Sequence, residues 1–132
     1  MLHENAVALA ESTANAPATG TFEGKWRNQM DSTMELHVSG KDVIGTYTSP
    51  NSGLPGGGSV TGALKGWTAG DLISFTVIWP GGSITAWTGQ LVNEGGQKLR
   101  TLWHLVTDVA DAQEPTRLWT STMAGADEFK RV

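Results

Sequence analysis

The stretch Leu72-Ile-Ser-Phe-Thr-Val-Ile-Trp79, Pro80-Gly81-Gly82, Ser83-Ile-Thr-Ala-Trp-Thr-Gly-Gln-Leu91 decides how this chain is read. Two runs rich in β-branched and aromatic residues flank a Pro-Gly-Gly break, and neither carries the 3.6-residue periodicity of a helix. Pro80 presets φ, and Gly81 and Gly82 accept the conformations of a tight connection, so the two runs read as antiparallel neighbours. Side chains alternate across a strand. Ile73, Phe75, Val77 and Trp79 therefore share one face, and Ser83, Thr85 and Trp87 share the next.

The same rhythm extends in both directions. Strands are expected at about residues 22–28, 33–39, 43–49, 59–65, 72–79, 83–91, 98–107 and 117–123. Turn residues stand between them, as in Ser39-Gly40-Lys41-Asp42, Ala69-Gly70-Asp71 and Asn93-Glu94-Gly95-Gly96. Two connections are longer, a Gly/Pro-rich one at 50–58 and an acidic one at 108–116, and long loops in compact domains tend to carry function. Residues 1–20, rich in Ala, Ser and Thr, are expected to form a disordered tail, leaving one domain at 21–132. Eight consecutive antiparallel strands are most simply accommodated by closing the sheet on itself, which removes both edges; a two-sheet sandwich is the competing all-β arrangement. An eight-stranded barrel is just wide enough for one small ligand.

Composition excludes several functions. A net charge of −4 without a basic cluster gives no footprint for nucleic acid or anionic lipid. The chain has no cysteine, so neither a disulfide framework nor a thiolate metal site is available. No apolar run approaches the ~20 residues of a membrane-spanning helix, and no membrane partner is expected. His3, His37 and His104 match no metal-ligand spacing. Acidic pairs such as Asp108 with Asp111 come with no nucleophile motif.

The faces point to a pocket. Val43, Tyr47 and Ser49 share a face, as do Thr101, Trp103 and Leu105, so rings and hydroxyls face the same way on four strands. A pure core favours aliphatic filling, because each unpartnered buried hydroxyl costs roughly 1–3 kcal/mol. Apolar walls with a few convergent polar groups are what a small-molecule site needs. The opposite faces of the strands at 83–91 and 98–107 carry Ile84, Ala86, Leu102 and Val106, an apolar exterior that predicts association of subunits.

Gly24-Lys-Trp-Arg-Asn-Gln-Met-Asp-Ser-Thr33 resembles the first-hairpin signature of the avidin and streptavidin family. It is followed in order by Gly45-Thr-Tyr-Thr-Ser49, Phe75-Thr-Val-Ile-Trp79, Thr85-Ala-Trp-Thr-Gly-Gln90, Thr101-Leu-Trp103 and Trp119-Thr-Ser-Thr-Met-Ala-Gly-Ala-Asp127. The resemblance implies a streptavidin-like eight-stranded up-and-down barrel that binds biotin in its open end without catalysis. It implies Asn28, Ser32 and Tyr47 as donors to the ureido oxygen, with Ser49 and Asp127 as acceptors of the ureido N–H groups. Thr85 would approach the thioether sulfur, Ser83 the valerate carboxylate, and Trp79, Trp87 and Trp103 would form the walls. Trp119 resembles the tryptophan lent to a neighbouring subunit, which implies a homotetramer. The loop at 50–58 resembles the family's lid, contributing Asn51 and Gly53; Gly53 stands where a polar side chain is expected, which puts the tail contacts in doubt. Trp26 is expected in the barrel floor, and Phe75 and Trp67 are both taken as packing. No cofactor or metal is expected, and secretion or periplasmic residence is what the resemblance implies. The competing readings are a barrel for another small apolar ligand, and a small hydrolase using Asp127 with Ser32 or Ser49. No histidine shares their face to serve that hydrolase as a base.

Overall fold

A computed structural model describes residues 1–13, 17–50 and 57–132 of the chain. Eight antiparallel strands close into one barrel in sequence order: β1 Gly24–Asn28, β2 Thr33–Ser39, β3 Asp42–Ser49, β4 Val60–Ala69, β5 Leu72–Ile78, β6 Ile84–Asn93, β7 Gln97–Val106 and β8 Thr122–Arg131. Pairing of β1 with β8, from Trp26 opposite Arg131 to Asn28 opposite Phe129, closes the sheet and rules out the sandwich. The interior is filled by alternate residues, as the pleat requires. Trp26, Leu36, Leu64, Leu91, Leu99 and Phe129 pack toward one end, and Phe75, Tyr47 and Trp87 lie above them. Trp26 is the expected floor residue: its Nε1 donates to the Phe22 carbonyl at 2.9 Å, and the Arg131 guanidinium lies 4.3 Å above its ring.

Three expectations are corrected. Residues 3–13 were expected in a disordered tail, yet they form helix α1, His3–Thr13, which buries none of its residues. Its alanines and Leu9 favour a helix by intrinsic propensity alone, so no strong amphipathic stripe announced it. The last strand, expected at 117–123, is instead β8 at Thr122–Arg131. Residues 117–121 belong to a helical connection: a 3-10 turn Asp111–Gln113, a short helix α2 Glu114–Arg117 and a second 3-10 turn Leu118–Ser121. Pro115 sits in the first turn of α2, where its missing N–H costs nothing. The run Leu118-Trp-Thr-Ser is β-prone by composition yet helical here, whereas the charged residues of β8 mask its strand character.

The third correction concerns Trp67. Strand β4 was expected to stop at Lys65 but continues to Ala69. Gly66 permits this, because a Cβ there would lie 2.1 Å from the Ser74 carbonyl. Trp67 then falls on the outward face, between Asp42 and Ser74, and is 74% exposed rather than packed. Phe75 is buried as expected. The exterior apolar residues Ile84, Leu102 and Val106 are exposed, and His104 stands among them on the outer wall. Among the described residues no helix is long and apolar enough to cross a membrane.

Candidate functional site

The interior changes character halfway along each strand. On β6 the inward series runs Leu91, Trp87, Thr85; on β8 it runs Phe129, Asp127, Gly125; on β3 it runs Val43, Tyr47, Ser49. Aliphatic and phenyl groups occupy the floor, and rings with polar groups occupy the other end. This end is the candidate site.

Asn28 ends β1 and organises the first polar cluster. Its Oδ1 accepts the backbone N–H groups of Met30 at 3.0 Å and Ser32 at 2.9 Å, an Asx turn that swings the chain toward β2. This leaves the Asn28 amide to donate, and Nδ2 reaches the Tyr47 hydroxyl at 3.1 Å. Ser32 also hydrogen-bonds the Tyr47 side chain, and all three residues are buried. Burial pushes the Tyr47 phenol well above its ordinary value of 10.0; the bonds with Ser32 and Asn28 oppose the rise, and the Asp127 carboxylate adds to it. Tyr47 is therefore a neutral phenol at physiological pH, able to donate.

The second cluster is built on β6 and β8. Asp127 Oδ2 accepts the Trp87 indole N–H at 2.9 Å, and Oδ1 accepts Gln29 Nε2 at 2.9 Å. Thr101 Oγ1 donates to the Asp127 carbonyl at 3.1 Å. The carboxylate is thus aimed by Trp87 on β6 and Gln29 in the β1–β2 turn, with lone pairs to spare, while Thr101 on β7 ties down the Asp127 backbone.

Rings connect the clusters. Tyr47 stacks on Trp87 at 4.8 Å between centroids, Phe75 stacks on the same Trp87 at 5.0 Å, and Trp79 meets Tyr47 edge-on at 5.6 Å. Trp79 Nε1 donates to Thr85 Oγ1 at 2.9 Å, and Trp79 N donates to the Ser83 carbonyl. Trp103 is half-buried against the same cluster and lies over Gly125; a Cβ at Gly125 would stand 2.5 Å from its ring, so only glycine admits the indole there. Among the described residues, no buried side-chain nitrogen or oxygen lacks a partner.

The fold thus brings Asn28, Ser32 and Tyr47 into one bonded cluster, joins Trp87 to Asp127 and Trp79 to Thr85, and sets Ser49, Ser83 and Trp103 half-buried on the same inward faces. The backbone of Trp119 lies in the second 3-10 turn. Asn51 and Gly53 lie outside the described residues. Gln29, Thr101 and Phe75 were missed as parts of the site. Thr101 and Phe75 were legible on the inward faces. Gln29 stood inside the quoted hairpin motif, but alternation alone assigns it outward. No group of three His, Asp or Glu side chains that could hold a metal ion occurs among the described residues.

Comparison with known proteins places this architecture. The model of the avidin family matches residues 16–132. The crystal structure of xenavidin superimposes with a TM-score of 0.71 at 31% identity, covering 85% of this chain and 97% of that one. The rhizavidin–biotin complex gives a TM-score of 0.68 at 26% identity, covering 85% and 92%. Apo shwanavidin gives 0.65 at 27% identity, covering 86% and 98%.

Proposed function

The chain belongs to the avidin family, and from that premise we propose that it is a non-catalytic binder of biotin, held at the open end of the barrel. A structural relative, rhizavidin, was solved as a biotin complex. The observation that carries the reading is the opposition of two polar clusters inside aromatic walls: Asn28, Ser32 and Tyr47 on one side, Asp127 on the other.

A bicyclic urea needs donors for its oxygen and acceptors for its two N–H groups. Tyr47 as a neutral phenol, the second N–H of the Asn28 amide and the Ser32 hydroxyl supply the donors, the bond between Ser32 and Tyr47 being exchanged for the ligand oxygen as it enters. Asp127 and Ser49 accept the N–H groups. Donors fixed on the oxygen and a carboxylate fixed on the nitrogen side favour the charge-separated form of the urea, so each contact strengthens the others. Trp79, Trp87 and Trp103 enclose the ring system, with Thr85 beside the sulfur and Ser83 toward the carboxylate tail, where Asn51 and Gly53 of the lid also belong in this reading. The groups are already bonded to one another, so little ordering accompanies binding. His3, His37 and His104 are all exposed away from this interior, and a base beside Ser32 or Ser49 is not part of the scheme.

Trp119 serves a neighbouring subunit in the same reading, and the apolar exterior around Leu102 and Val106 is covered in a homotetramer. Light scattering that returns a monomer at micromolar concentration removes this part. The central test is thermal melting with and without biotin. A ligand at a thousandfold excess over its Kd adds about 4 kcal/mol, raising Tm by on the order of 10 °C. An unchanged Tm overturns the proposal.

A further inference from the structure

The seam that closes the barrel is short. The β1–β8 ladder stops at Asn28 opposite Phe129, whereas β8 runs on beside β7 as far as Thr122 opposite Val106. Strand β1 leaves the ladder because the Asx turn at Asn28 bends the chain away. The Gln29 side chain occupies the place of the next rungs. Its Nε2 donates to the Ala126 carbonyl at 3.3 Å and to Asp127 Oδ1 at 2.9 Å, and its Oε1 accepts the Glu128 backbone N–H at 3.0 Å. A primary amide has two N–H groups and an acceptor, and each is used. The reversed amide would set its oxygen against two acceptors, so the partners fix its orientation.

We propose that Gln29 is a positioning residue for ligand binding: it bolts the lateral seam between β1 and β8 and, with Trp87, holds the Asp127 carboxylate in the plane that faces the ligand. The inference rests on the reading of Asp127 as the acceptor for a ureido N–H. Gln29 takes one carboxylate oxygen and Trp87 the other, two charge-assisted bonds that fix both rotation and tilt. Surface grooves flank the amide on both sides, one over β1 and β8 lined by Arg27, Gln29, Glu128 and Lys130, the other over β7 and β8 lined by Gln29, Arg100, Asp127 and Glu128, so solvent stands just outside the bolt. Without the amide, water reaches the carboxylate through the wall and competes with the ligand for it.

Two variants separate this from a role in folding alone. Gln29→Ala removes all three bonds. Gln29→Glu has the same shape and keeps an acceptor for the Glu128 N–H, but it sets a carboxylate against Asp127. Hydrogen exchange is read by NMR in the ligand-free protein, at the Trp87 indole N–H and the Glu128 amide. In Gln29→Ala both exchange faster, by about tenfold or more for the loss of a charge-assisted bond. In Gln29→Glu the Glu128 amide stays protected while the indole accelerates. Biotin dissociates about tenfold faster from both variants, with the association rate unchanged. Should Gln29→Ala fail to fold, Gln29→Glu alone decides the matter. Wild-type indole exchange in Gln29→Glu, or faster exchange there with wild-type dissociation, overturns the proposal. If the parent protein takes up no biotin, the proposed function fails by itself, and the exchange rates still decide whether Gln29 holds Asp127.

Discussion

The two ends of this barrel are built from the same strands and differ in what they do with burial. At the floor, Trp26, Leu36, Leu64, Leu91, Leu99 and Phe129 exclude nearly all solvent with nonpolar surface, and the Trp26 indole N–H is spent on the Phe22 carbonyl. At the other, open end, Asn28, Ser32, Tyr47 and Thr85 are almost as buried, but their polar atoms are satisfied by one another, by the Trp79 indole and by backbone N–H groups of the β1–β2 turn. The floor stabilises the fold by removing apolar area from water, at roughly 25 cal/mol per Å². The open end gains little net stability, since its hydrogen bonds replace bonds to water. On the proposed function its value is preorganisation, and stability and recognition are then separable by substitution.

The largest effect is expected at the floor. Phe129→Ala leaves a cavity beneath the rings and lowers stability by about 3–5 kcal/mol, read by denaturant unfolding. Next come Tyr47→Phe and Asp127→Ala, which on the proposed function weaken biotin binding by roughly 1–3 kcal/mol or more while the ligand-free protein keeps its fold. If Tyr47→Phe and Asp127→Ala both leave the biotin dissociation rate unaltered, the polar clusters are not where the ligand sits. If they destabilise the ligand-free protein as much as Phe129→Ala does, the division between the two ends is wrong.

A spectroscopic test reaches the open end without any ligand, because Tyr47 is the only tyrosine of the chain. Burial raises its pKa in the folded state. The native protein should therefore show no phenolate absorbance near pH 11, while the denatured chain titrates near 10. The sign for stability follows: the raised group contributes fully below the unfolded value of 10.0, and that contribution is lost as pH climbs above it, where only the unfolded chain ionises. A phenolate signal near pH 10 in the folded protein would mean that the Asn28–Ser32–Tyr47 cluster is open to water.

Much of this was legible in the sequence, and the exceptions have physical causes. A period of two is local information, so Ile73, Phe75 and Val77 on β5, and Thr85 and Trp87 on β6, could be set inside the barrel from spacing alone. Strand β8 could not, because its inward residues are Gly125, Asp127 and Phe129 among Glu128 and Lys130; its strand character comes from the partners on either side. Asp127 was singled out by family resemblance, since no pattern of spacing marks it. Gln29 escaped because its role begins where β1 leaves the ladder, and a break in pairing is a property of two distant segments. Trp67, extra to the family pattern, is expected in packing, but the additional length of β4 turns it outward.

The smallest predicted effect lies where the chain enters the barrel, outside both ends. Thr19 donates its hydroxyl to Asp71 Oδ2 at 2.7 Å and its backbone N–H to Oδ1 at 2.8 Å, pinning the entering segment to the β4–β5 turn. These bonds, the hydroxyl's first, hold the Asp71 carboxyl below its ordinary value of 3.8. A depressed carboxylate contributes stability that is present above the unfolded pKa and lost as pH falls through the folded one. Asp71→Asn should therefore melt slightly below the parent at about pH 6, with the gap closing as pH falls below 3.8 and through the lowered folded pKa. The group lies at the surface, so solvent screening keeps the effect small. A gap that persists at low pH would show that the clasp acts through shape and neutral hydrogen bonding rather than through charge.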